Sequence, residues 1–249
     1  MDNTPYPNQD ETIEDLQLAG LSLIQKKHAF RYGMDSVLLA HFAGIRPNDV
    51  VCDFGTGNGI LPLLLTGRGK GRFFYAFEIL EEAAELARRN VTLNHLESNI
   101  RVIHRDVAEA ECYLQACSID AVICNPPYSR PSAALKSPNE QKATARNQKS
   151  NTLDSFFGAA FRILKGKGQI SIVYPAPQML SVMKLLQQHH LEPKRIRMVY
   201  PYASKPANLV LIEAVKDAKP TLHPLPPLII YQEDGRLTNE LKSVYHISE

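Results

Sequence analysis

The sequence predicts an α/β domain: one mostly parallel sheet of seven strands that ends in an antiparallel hairpin. Three features point there. From Asp49 onward, short apolar runs alternate with amphipathic runs rich in helix formers. The last two strand-like runs follow one another with no helix between them. A glycine-rich turn, "DFGTGNG" (53–59), joins the first of these strands to the first of these helices. Repeated βα order implies parallel strands covered on both faces, and a short direct connection implies an antiparallel pair.

Taken in order, "VVCDF" (50–54) is a strand that stops at Gly55. "ILPLLLTGR" (60–68) is a helix with Pro62 in its first turn, where a missing N–H does little harm. "RFFYAFEI" (72–79) is a strand, and "EEAAELARRNVTLNHL" (81–96) an amphipathic helix. "IRVIHRD" (100–106) is a strand followed by a short helix to about Ala116, and "IDAVICN" (119–125) is the next strand. Residues 152–168 read as a helix closed by Gly166 and Gly168, "QISIVYP" as a strand and "PQMLSVMKLLQQHHL" as a helix. Residues 194–201 and 207–216 make the closing hairpin. Residues 1–48 are expected to be a helical lead-in, with "DSVLLAHFA" (35–43) at helical spacing. Residues 49–217 form the core, and 218–249 a tail that packs on it with a turn at Asp234-Gly235. One domain is expected.

The 249 residues are 44% hydrophobic and 22% charged, an ordinary soluble composition. No apolar run approaches the ~20 residues of a membrane span. The acidic start "MDNTPYPNQDETIEDLQ" lacks an apolar core, so no secretion signal is expected. Cys52, Cys112, Cys117 and Cys124 have no paired spacing, which predicts reduced thiols, no metal site and a cytoplasmic protein. The net charge of +2 announces no nucleic-acid binder, but its distribution is uneven. Residues 126–150 carry Arg130, Lys136, Lys142, Arg146 and Lys149 against Glu140 alone, a net of +4. Residues 184–205 carry Lys184, Lys194, Arg195, Arg197 and Lys205 against Glu192, again +4. Such clusters suit a polyanion on one face or, equally, solvated loops.

Parallel sheets bind ligands beyond the C-terminal ends of their strands. The residues that fall there are Asp53 to Gly59, Glu78, Asp106, and Asn125 to Tyr128. In "DFGTGNG" the glycines at 55, 57 and 59 allow positive φ and close backbone approach, and the following helix start favours a carboxylate-bearing ligand. The spacing is GxGxG behind an acid, neither the GxGxxG dinucleotide fingerprint nor a phosphate-binding P-loop. It resembles motif I of class I S-adenosylmethionine-dependent methyltransferases, a Rossmann-like fold. That resemblance implies a cofactor site at Asp53, Phe54, Gly55, Thr56, Gly57, Gly59, Glu78, Ile79, Asp106 and Val107. Glu78 would hold the ribose hydroxyls, Asp106 the adenine amine, and Asp53 the methionine ammonium. Glu78 also suits a helix start, and Asp106 with Glu109 also suits a cap.

The fourth strand stops on Asn125-Pro126-Pro127-Tyr128, where two prolines cannot continue a ladder. This tetrad resembles the NPPY signature of amino-methyltransferases, which act on adenine N6, guanine N2 or glutamine N5. An exocyclic amine is a poor nucleophile because its lone pair is delocalised. Two rigid acceptors, the Asn125 side-chain oxygen and the Pro126 carbonyl, would draw that density back onto nitrogen. Pro127 stiffens the next peptide, and Tyr128 offers a ring on which a flipped base can stack.

Across residues 30–245 the chain is similar to the bacterial tRNA1(Val) adenine-37 N6-methyltransferase family. The stretches that carry the likeness are "FRYGMDSVLLAHFA", "DFGTGNGILPLLL", "NPPYSRPSAALKSPNEQKATARNQ", "PKRIRMVYPYASKPANLVLIEAVK" and "LPPLIIYQEDGRLT". Met34 departs from the small hydroxyl residue that the family usually has before Asp35. The likeness implies S-adenosylmethionine as cofactor and RNA, most often tRNA, as partner. It implies neither membrane nor metal, and a monomer is expected. Arg130, Lys136, Lys142, Arg146, Arg195, Arg197 and Lys205 would then contact phosphate. Alternatives are an N5-glutamine protein methyltransferase and another RNA or DNA exocyclic-amine methyltransferase. The separate helical domain of the glutamine enzymes has no counterpart in the residues before the first core strand.

Overall fold

A computed structural model describes residues 7–27, 33–126 and 153–246. Five parallel strands make the centre of the sheet: β3 (Val50–Phe54), β4 (Phe73–Glu78), β5 (Ile100–His104), β6 (Ile119–Cys124) and β7 (Leu164–Pro175). Beyond β7 come β9 (Leu209–Lys216), antiparallel to it, and then β8 (Leu191–Tyr200), antiparallel to β9. These are the seven strands expected. The tail adds β10 (His223–Pro224) and β11 (Leu228–Ile229), both parallel to the outer side of β8, so the sheet has nine strands.

Strand periodicity separates the two cores. On one face, Val51, Phe74, Ala76, Ala121 and Ile123 meet α1 (Met34–Phe42), α2 (Ile60–Gly67) and α3 (Glu81–Leu93). On the other, Cys52, Phe54, Phe77, Val122 and Cys124 meet α4 (Ala110–Tyr113), α5 (residues 153–163) and α6 (Met179–Gln188). Ala121 to Cys124 are fully buried, as a central parallel strand must be when both faces are covered.

Two expectations need correction. The described residues before Met34 are not a helical lead-in. They form an antiparallel hairpin of β1 (Glu11–Asp15) and β2 (Ser22–Lys26), and only α1 is helical. The cause is tertiary. Asn94 exchanges hydrogen bonds with the backbone of Ser22 (2.8 and 2.8 Å), and Asn90 does the same with Ile24 (2.6 and 3.0 Å). Asn90 of α3 and Asn94, the residue that follows the helix, thus supply β2 with the ladder partners that a further strand would offer. The second correction is at α5, which ends at residue 163 rather than near Gly168. Lys216 Nζ donates to the carbonyls of Phe161 (2.6 Å) and Leu164 (2.8 Å), closing the helix from outside its own sequence. Gly168 serves the irregular start of β7: a Cβ there would lie 3.0 Å from Lys165 O and 3.2 Å from Asp120 O.

The tail ends in α7 (Asn239–Val244), capped by Thr238, and buries Leu228, Ile230, Leu241 and Val244 in the first core. No helix among the described residues is long and apolar enough to cross a membrane.

Candidate active site

The C-terminal strand ends bring the predicted residues of β3, β4 and β6 to one edge of the sheet. The glycine loop leaves β3 and turns into α2. Gly57 and Gly59 take φ of +59° and +84°, a region that strains any residue with a side chain. Gly59 also packs on α3, where its Cβ would lie 3.5 Å from that of Ala87. The Gly55 and Thr56 N–H groups both donate to Phe77 O at 2.9 Å.

Glu78, at the end of β4, is almost wholly buried and accepts from Gly57 N–H (2.8 Å) and Leu80 N–H (2.9 Å). One carboxylate therefore ties the glycine loop to the start of α3, and each oxygen keeps a lone pair for a further donor. Asp106 caps the turn Val107–Glu109 by accepting from Ala108 N–H (2.9 Å), so the capping reading is realised there. Ile79 is exposed beside Glu78, whereas Val107 is buried. Phe54 is fully buried, its ring edge-on to Phe77 and Phe156. Its side chain belongs to the core.

Asp53 is the outlier. It is fully buried, and neither carboxylate oxygen has a hydrogen-bond partner among the described residues. Burial pushes its carboxyl up to about 7; the nearby Thr56 hydroxyl pulls the other way and Glu78 adds to the rise. A buried carboxylate without a partner is costly, and its position under a glycine loop suits a ligand that brings a cation. The donor set thus fits the cofactor implied by the sequence: a carboxylate for an ammonium and a second carboxylate for a diol.

At the end of β6, Asn125 Nδ2 donates to Ser36 Oγ at 3.1 Å, and Pro126 is buried. Ser36, buried in the first turn of α1, was not among the predicted site residues. Its signal was a hydroxyl within an otherwise apolar helical stripe. Pro127, Tyr128, Arg130, Lys136, Lys142 and Arg146 lie outside the described residues.

The structure gives Arg195 and Arg197 other partners than phosphate. Arg195 bonds Glu213 (3.0 Å) and lies over the Phe42 ring, at the far end of α1 from Ser36. Arg197 bonds the Pro226 carbonyl (3.0 Å) and Glu240, fastening the tail to β8. Lys205 is exposed in the loop between β8 and β9, at the same sheet edge as Asn125. All four cysteines are free, and burial pushes the Cys52 and Cys124 thiols up. No group of His, Cys, Asp and Glu among the described residues could hold a metal ion.

Fold and site together define a Rossmann-like methyltransferase. The solved structures include a predicted O-methyltransferase of Agrobacterium tumefaciens that shares the fold, with a TM-score of 0.68 at 21% identity over 86% of this chain and 96% of that one. The family model of the methyltransferase small domain matches residues 33–194. The tRNA1(Val) (adenine(37)-N6)-methyltransferase of Bacteroides thetaiotaomicron is 31% identical over 66% of this chain and 68% of its own length. That of Aliivibrio salmonicida is 26% identical over 85% and 88%. The chain belongs to the methyltransferase small domain family and, within it, to the tRNA1(Val) (adenine(37)-N6)-methyltransferases.

Proposed function

We propose that the chain methylates the exocyclic N6 of adenine 37 in tRNA1(Val), with S-adenosylmethionine as methyl donor. The observation that carries this reading is the pairing of Asn125 with Ser36 at the strand end facing the glycine loop. With Nδ2 engaged by the hydroxyl, the Asn125 amide is held so that Oδ1 remains an acceptor for an amine N–H. A second N–H goes to the Pro126 carbonyl, and the two acceptors localise the lone pair on nitrogen. Pro127 stiffens this pair and Tyr128 stacks the flipped base. When bound, the cofactor supplies an electrophilic methyl group on a sulfonium. Glu78 orients its ribose, Asp106 its adenine amine, and Asp53 its ammonium. Arg130, Lys136, Lys142, Arg146 and Lys205 contact phosphate. The methylated nitrogen is acidic enough to lose its proton to water, so no dedicated base is required. A tRNA substrate places the reaction in the cytoplasm.

The test is transfer of labelled methyl from S-adenosylmethionine into purified tRNA, followed by nucleoside mass spectrometry. The expected product is N6-methyladenosine at position 37. Label that resists nuclease and resides in glutamine would replace this reading with a protein methyltransferase.

A further inference from the structure

Positive-φ glycines lend the cofactor loop its shape but not its rigidity, because they are the least restrained residues in the chain. Rigidity must come from hydrogen bonds. Those of Gly55, Thr56 and Gly57 run to β4 and its terminal Glu78. The Asn58 carbonyl, between two left-handed glycines, instead receives Asn90 Nδ2 of α3 at 2.9 Å.

Asn90 is fully buried, and the same amide also holds β2. Its Oδ1 accepts from Ile24 N–H (2.6 Å) and its Nδ2 donates to Ile24 O (3.0 Å). One acceptor and two donors are thereby used, which asparagine supplies at this reach. Aspartate would set an acceptor against two carbonyls. Asn94, one turn later, grips Ser22 in the same manner (2.8 and 2.8 Å), but its other bond goes to Asn90 O (2.7 Å), not to the loop. The two asparagines therefore share the hairpin and differ in the bond to Asn58.

We infer that Asn90 is a positioning residue for the cofactor site: its amide, held by Ile24 of the β1–β2 hairpin, couples that strand to the glycine loop through the Asn58 carbonyl, so that the loop's binding-ready shape depends on this bond. The inference rests on the cofactor reading of that loop. Calorimetry with S-adenosylhomocysteine on the full chain tests it. Asn90→Ala is expected to raise Kd by at least ~tenfold through loss of a buried bond, with kcat at saturating S-adenosylmethionine nearly unchanged. Asn94→Ala is expected to lower Tm comparably and leave Kd within ~twofold, as its bonds lie outside the loop. Equal effects of the two variants on Kd would overturn the coupling. Should Asn90→Ala not fold, amide exchange in the unaltered protein decides. Coupling is reciprocal, so S-adenosylhomocysteine must slow exchange at Ile24 N–H, and unchanged exchange there would overturn the inference. Failure of the unaltered protein to bind S-adenosylhomocysteine would instead overturn the cofactor reading, and this inference with it.

Discussion

Asp53 and Arg197 are both ionisable groups drawn away from water on the same sheet, one on a central strand and one near the sheet's edge, and they are treated in opposite ways. Asp53 lies beneath the glycine loop with two buried oxygens that have no partner among the described residues. Arg197, on β8, is paired with Glu240 and a tail carbonyl; Arg195, on the same strand, is paired with Glu213. On the proposed reading, the difference separates a group kept for a ligand from one that holds the fold. A charge that holds the fold finds its counter-group within the fold, because an unpaired buried charge is destabilising. A charge reserved for a ligand carries that destabilisation until the ligand arrives. Charge clusters in the sequence do not reveal which kind they are, and the arginines of β8 show this.

The sharpest way to break the comparison is at the acceptor. Asn125→Ala is expected to lower kcat by ~10²–10³, the size of removing one preorganised polar group. Calorimetry should find S-adenosylhomocysteine binding retained, and a kcat near that of the unaltered enzyme would remove Asn125 from the chemistry. Glu78→Ala comes next. Charge-assisted bonds contribute ~1.5–3 kcal/mol each, so cofactor Kd should rise by tenfold or more. An unaltered Kd would refute the ribose assignment.

Asp53→Asn probes the unpartnered charge directly. The unfolded carboxyl ionises near 3.8 and the folded one near about 7, so the folded state holds a proton that the unfolded state has lost. Native stability therefore falls as pH rises between those values and is level above the higher one. In the absence of cofactor, Asn at this position should raise Tm by about 2 °C or more at pH 8, with a smaller gain at pH 5. It should also weaken cofactor binding. A Tm that falls at both pH values would show Asp53 to be structural after all.

The smallest effects come from the β8 side. Arg197→Ala should destabilise by about 1–2 kcal/mol through the loosened tail, while the salt dependence of tRNA binding stays as it was. Lys205→Ala should do the reverse: Tm unmoved, and the slope of log K against log salt shallower by ~0.7–0.9 for one lost phosphate contact. A changed slope for Arg197→Ala would restore it to the RNA face.

Much of this was legible beforehand where the governing rule is local. Alternating apolar runs located β3 to β7 and made them parallel, and the direct link between residues 201 and 207 marked β8 and β9 as a hairpin. Asp53, Glu78, Asp106 and Asn125 were placed at one edge by strand-end position alone. Where the rule is not local, the reading failed. Ser22 and Ile24 of "SLIQK" are held by asparagines 72 and 66 residues away. The end of α5 is set by Lys216, 52 residues beyond Leu164.

Periodicity and turn chemistry act between neighbours in the chain, and so they were enough for the sheet, its parallel direction and the edge where the candidate site lies. The partner of a polar side chain is chosen by whatever the folded chain carries to within hydrogen-bond reach. That is why it took three-dimensional contacts to show Asn90 bonded to the glycine loop, Ser36 bonded to Asn125, and Arg195 and Arg197 paired within the fold.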